Sequence, residues 1–103
     1  MSPSVVFVDV DDTLVRSAGT KRIPIPAVVN YVKALKASGA ILYLWSSGGA
    51  VYARSSAAEL GLSECFVDFL PKPHVIIDDQ PVHEWRDCKH LYPLQVSNDA
   101  LKG

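Results

Sequence analysis

The chain has 103 residues, 49% of them apolar, and its 10 basic side chains against 11 acidic ones leave a net charge of −1. That length suits one domain over residues 1–103 and leaves no room for a second. The charge balance gives no basic footprint for nucleic acid or anionic lipid, so nucleic acid enters only as a substrate, and no apolar run approaches a bilayer span.

Met1-Ser2-Pro3-Ser4 lacks the basic start and apolar core of a secretion signal, and Cys65 and Cys88 make no C-x-x-C pair. A soluble, cytoplasmic protein with reduced, structural thiols is expected. From there the pattern alternates strand and helix, which predicts an α/β domain with a central parallel sheet. Residues 5–10, Val-Val-Phe-Val-Asp-Val, read as a central strand buried on both faces. Residues 16–26, with Gly19-Thr20 and the alternating Ile23-Pro24-Ile25-Pro26, suit a tight turn and a small hairpin flap.

Val28, Val32 and Leu35 recur at helical spacing, so residues 27–38 form a predicted helix, with Pro26 at its first turn and Gly39 at its end. Residues 40–45 are a second apolar strand, broken by Ser46-Ser47-Gly48-Gly49. Residues 50–60 form a second helix, closed by Gly61. Residues 62–65 read as a loop and 66–69 as a short strand. Residues 74–77 are a firm apolar strand ending at Asp78-Asp79. Beyond Pro81, residues 82–88 suit a helix and residues 91–96 an edge strand around Pro93.

The chemistry gathers where strands end. Side chains on a strand alternate faces, so Asp9 and Asp11 can point the same way at the carboxyl end of the first strand, with the Thr13 hydroxyl close behind. Two such acids can hold a divalent cation while one attacks an electrophile. The bland alternative is a polar strand exit with a solvated turn.

The run Asp9-Val10-Asp11-Asp12-Thr13-Leu14 after an apolar strand resembles the first motif of the haloacid dehalogenase (HAD) superfamily of phosphohydrolases. Three later segments resemble its other motifs in order: Leu42-Tyr43-Leu44-Trp45-Ser46, Lys72 between Pro71 and Pro73, and Val75-Ile76-Ile77-Asp78-Asp79. The resemblance implies a three-layer α/β/α Rossmann-like core and a Mg²⁺-dependent phosphatase working through an aspartyl phosphate. By it, Asp9 is the nucleophile and Asp11 the general acid and base. Ser46 and Lys72 hold phosphoryl oxygens, helped by the backbone N–H groups of Ser47 and Gly48. Mg²⁺ is held by Asp9, the Asp11 carbonyl and Asp79, with Asp78 orienting Lys72 or a metal-bound water; Asp78 and Asp79 can exchange roles if the strand ends early. Asp12 and Thr13 are assigned to shaping the turn.

Each assignment has a plainer counterpart: a helix cap for Ser46, a solvated surface charge for Lys72, a polar strand exit for Asp78 and Asp79. The gaps between motifs hold only core elements, so no cap domain is expected. An uncapped site suits a bulky phosphorylated substrate, such as a polynucleotide end or a phosphoprotein, or closure by a second subunit. Arg16, Lys21 and Arg22 on the flap read as a solvated face, and Arg54 as a surface ion-pair former. His74, His83 and His90 show no metal-ligand spacing, and Trp45 and Trp85 read as packing residues. A receiver-type signalling domain is disfavoured because Lys72 precedes Asp78-Asp79. The remaining alternatives are an inactive binding module of the same fold and phosphotransfer to an acceptor other than water.

Overall fold

The structure, a computed structural model, describes residues 3–96. Strand β1 (Val5–Asp9) is followed by a hairpin of β2 (Val15–Ala18) and β3 (Lys21–Pro24), helix α1 (Pro26–Ala37), strand β4 (Ile41–Ser46), helix α2 (Ala50–Leu60) and strand β5 (Asp68–Pro71). Short 3₁₀ turns occupy Ser63–Cys65, Val82–Glu84 and Pro93–Gln95. Both α-helices fall where the apolar spacing puts them. Pro26 sits in the first turn of α1, where its missing N–H costs nothing, and Gly61 ends α2 in the left-handed region at φ 70°.

The main sheet has three parallel strands in the order β1-β4-β5, with Val8 opposite Leu44 and Asp9 opposite Trp45. One face of this sheet is the core. Val8, Leu42 and Leu44 pack with Val28 and Val32 of α1, Ala53 and Ala57 of α2, and Leu62 and Phe66 beyond α2. Burying a Leu or Val side chain fully contributes about 1.5–3 kcal/mol, so this single face supplies most of the sheet's hold on both helices. Val10, Leu14 and Val15 extend the same core under the turn that leaves β1.

The opposite face is built differently from the expectation. β1 lies at an edge of the sheet, not at its centre, and Phe7 is 45% exposed and Val5 60% exposed. Phe7 rests edge-on against Trp45 at 4.9 Å and beside Tyr43 at 5.2 Å, an aromatic layer with no α-helix over it among the described residues. The described residues therefore form a two-layer α/β unit rather than the expected three layers.

The hairpin appears as predicted, with Gly19 at φ 63° in its two-residue turn. The expected strand at 66–69 forms two residues later, as β5. The expected strand at 74–77 does not form: Val75, Ile76 and Ile77 are irregular and 76%, 51% and 96% exposed. Apolar, β-branched composition favours a strand only where a neighbour offers a ladder. Pro71 and Pro73 carry no N–H to extend the pairing of β5 through this stretch. Residues 82–88 and 91–96 hold only 3₁₀ turns in place of the expected helix and edge strand. The end of the predicted single domain, from residue 97, lies outside the described residues. Among the described residues, no helix is long and apolar enough to cross a membrane.

Candidate active site

In open parallel sheets the crevice beyond the carboxyl ends of the strands is the natural ligand site, and there this chain gathers its charges. Asp9 is the last residue of β1, and Lys72 follows the last residue of β5. Two strand spacings, about 9.6 Å, separate those strands, a gap that the four-carbon stem of a lysine can largely cover. Lys72 crosses it over Trp45, its ammonium 6.0 Å from the indole centre, and ends 3.0 Å from Asp9 Oδ1. The Lys72 N–H donates to the Ser46 carbonyl at 2.9 Å, which fixes the direction of the side chain.

The turn after β1 presents the acids. Asp12 takes φ 60°, a left-handed conformation that Asp tolerates better than most residues, and the N–H groups of Thr13, Leu14 and Val15 all turn back to the Val10 carbonyl. The Thr13 hydroxyl donates to Asp9 Oδ2 at 3.1 Å, so both oxygens of Asp9 are oriented by donors. The expected turn-shaping role of Asp12 and Thr13 is what these contacts describe.

Asp11 is held from the other side of the crevice. Tyr52, in the first turn of α2, donates its hydroxyl to Asp11 Oδ1 at 2.7 Å. Arg22 of β3 donates to the Tyr52 oxygen at 3.2 Å, to Ser56 Oγ at 3.0 Å and to Glu59 Oε2 at 2.8 Å, with its guanidinium 5.3 Å from the Tyr52 ring centre. The hydrogen bond to Asp11 raises the pKa of Tyr52, and burial and the Asp11 charge add to it. Arg22, read from sequence as part of a solvated face, instead pins the hairpin to α2.

Ser46 is placed otherwise than expected. Alternation along β4 puts its side chain with Leu42 and Leu44 on the buried face, whereas Asp9 and Lys72 belong to the face of Trp45. Its Oγ accepts the Gly48 N–H at 3.0 Å, so that amide is committed to the turn. The Ser46 hydroxyl thus closes the turn between β4 and α2 without capping the helix, whose N-cap is Gly49, and the Ser46 carbonyl accepts the N–H groups of Lys72 and Gly49. Ser47 is exposed in the same turn.

Asp78 and Asp79 do not join Asp9 and Asp11. Both are exposed, Asp78 Oδ1 accepts the N–H of Gln80, and no group of three or more His, Cys, Asp or Glu side chains comes together to hold a metal among the described residues. The reason is the missing strand at 74–77, which was to carry them to the crevice. An all-protein Mg²⁺ cage is therefore not what these residues fit. Mg²⁺ more often binds one or two carboxylates plus substrate phosphate and water, and of the four acids read from the sequence only Asp9 and Asp11 lie at or just past the end of β1. Arg54 stacks over Phe69 at 5.0 Å rather than entering the site, and the Trp85 indole N–H donates to the Gln80 carbonyl at 3.3 Å.

Residues 1–75 match the family model described as "Protein of unknown function (DUF705)". No curated protein and no solved structure matches the chain. The matched span holds Asp9, Asp11, Ser46 and Lys72, and it matches a family of unknown function and no haloacid dehalogenase family, so the expected membership is overturned. The motif-like spelling has a local cause: a strand leaving into a left-handed turn wants Asp at position 12 and a hydroxyl at 13 that bonds back to Asp9.

Proposed function

The chain belongs to the DUF705 family, whose function is unknown, and from its site we propose that it hydrolyses a phosphomonoester through an aspartyl phosphate on Asp9. The observation that carries the reading is the 3.0 Å contact between the Lys72 ammonium and Asp9 Oδ1 at the carboxyl ends of parallel strands. A carboxylate repels a phosphate dianion, and an ammonium fixed beside it offsets that repulsion while leaving the carboxylate nucleophilic.

In the first step an Asp9 oxygen forms a bond to phosphorus as the bond to the leaving oxygen breaks. Asp11, in its acid form, donates a proton to that oxygen. In the second step water attacks phosphorus, its proton passes to Asp11, and the bond to Asp9 breaks. Mg²⁺ bound with the substrate supplies charge neutralisation for the phosphoryl group. Lys72 directs the nucleophile, and the Ser46 carbonyl holds Lys72. Asp78 and Asp79 take no part in these steps.

The site lies open at the sheet's end, with the Lys72 and Asp9 side chains 35% and 28% exposed. That openness supports a large phosphorylated substrate, macromolecular rather than a small metabolite, met in the cytoplasm. The test is phosphate release from 4-nitrophenyl phosphate with Mg²⁺ and with chelator. Turnover that requires Mg²⁺ supports the proposal; its absence at all conditions, with binding of phosphorylated ligands retained, turns the reading toward a binding module.

A further inference from the structure

Tyr52 and Arg22 carry the contact between the hairpin and α2 onward to Asp11 as a polar array. Its donors all run one way: the Arg22 guanidinium donates to the Tyr52 oxygen at 3.2 Å, and the Tyr52 hydroxyl donates to Asp11 Oδ1 at 2.7 Å. Bonds aligned in this sense polarise one another, and the second is the shorter. Asp11 sits on an exposed turn, where an unheld carboxylate would rotate freely. The three residues come from separate places in the chain: Asp11 from the turn after β1, Arg22 from the hairpin and Tyr52 from α2.

We propose that Tyr52 is the positioning residue for Asp11, occupying Oδ1 so that Oδ2 is the oxygen turned to the reacting proton, and that Arg22 holds Tyr52 in place. This rests on the phosphohydrolase reading, since it gives Asp11 a task. A general acid must meet its proton acceptor at hydrogen-bond distance, and a misplacement of about 1 Å can cost on the order of 100-fold in rate. Two fixed points define the array. Glu59 Oε2 and Ser56 Oγ take two further guanidinium donors, which restrain Arg22 against α2. Gly48 leaves the space into which the Tyr52 ring fits, for a Cβ there would lie 2.9 Å from Tyr52 Cδ2.

The assignment separates orientation from binding. Tyr52→Phe keeps the ring beneath the Arg22 guanidinium and removes the hydroxyl with both of its hydrogen bonds. It is expected to lower kcat by roughly 10- to 100-fold with KM within about twofold, because the proposed role of Tyr52 is to orient Asp11 and not to bind phosphate. Arg22→Ala is expected to lower kcat in the same direction by less, and Arg22→Lys to recover part of that loss. A purely structural role for Tyr52 would instead change kcat and KM together, or neither.

The experiment pairs these kinetics with a readout that needs no turnover. In the full chain labelled with ¹³C at aspartate carboxyls, the Asp11 resonance at neutral pH is expected to move in Tyr52→Phe and to stay in the control Tyr31→Phe. An Asp11 resonance that does not move in Tyr52→Phe overturns the tether, whether or not the native chain is active. A moved resonance with unchanged kcat in an active enzyme overturns the positioning role. No turnover by the native chain, with the resonance moved, overturns the phosphohydrolase reading and leaves the tether standing as structure only.

Discussion

Replacing Gly48 by Ala tests the fit between the turn and α2 on which the site depends. The added Cβ would stand 2.9 Å from Tyr52 Cδ2 and 3.1 Å from Cγ, against the ~3.6 Å of ordinary carbon contact, so the ring must withdraw by about 0.7 Å. It cannot withdraw without loss, because its hydroxyl is bonded to Asp11 at 2.7 Å and to Arg22 at 3.2 Å. Overpacking of this kind costs about 1–3 kcal/mol, while removing a glycine from the unfolded chain returns about 0.4–1 kcal/mol. A net loss of about 1 kcal/mol is expected, which lowers the urea midpoint by roughly 0.3–1 M for a slope of about 1–3 kcal/mol/M. The assay is a double-mutant cycle in urea. With Tyr52→Ala the obstruction is gone, so Gly48→Ala should there become neutral or stabilising by about 0.5 kcal/mol. Equal destabilisation in both backgrounds would refute the reasoning and place the cost in the backbone of the turn.

Lys72→Met should cost no more than about 1 kcal/mol of stability, because the pair with Asp9 is partly solvated, yet lower phosphate release by about 100-fold or more; thermal melts and rates on one preparation separate the two. Tyr52 has its pKa raised in the folded chain by its bond to Asp11, so the neutral form is favoured there. Its contribution is therefore complete below the unfolded value of about 10 and is lost as pH rises from there through the raised folded value, and Tyr52→Phe should flatten the fall of the urea midpoint above about pH 10. Ile77→Ser should change stability by no more than about 0.5 kcal/mol, as Ile77 is 96% exposed; a loss of 2 kcal/mol or more, on the order of a buried core substitution, would show residues 74–77 packed after all.

What the sequence makes legible here is what local chemistry decides. Pro26 and Gly61 mark helix limits because their backbones permit little else at those places, and Gly19 marks the hairpin turn for the same reason. The meeting of Asp9 with Lys72 follows only once β5 is placed, because the lysine then leaves a parallel strand at the same end as Asp9 instead of preceding a strand at 74–77. Which edge of a sheet a strand joins is a matter of tertiary competition, and the apolar run 75–77 carries no mark of losing it. Ser46 could have been placed correctly: counting by twos from Leu42 and Leu44 puts it on the buried face. Tyr52 stands inside the predicted helix over 50–60 with no motif around it. A signal existed, for Tyr52, Ser56 and Glu59 recur at helical spacing as one polar stripe on α2, and that stripe receives Arg22. Its partner Asp11 lies 41 residues earlier, beyond any local pattern.

The central claim is that phosphorus becomes bonded to Asp9. Its most direct test is to mix the Asp11→Asn variant, which keeps the nucleophile and loses the base for hydrolysis, with an aryl phosphate and Mg²⁺, quench in acid and map the peptides by mass. One phosphoryl group on the peptide holding Asp9, and none when Asp9→Asn is added, is the predicted result. Aryl alcohol released by the native chain with no phosphoryl group on Asp9 in the variant would contradict it.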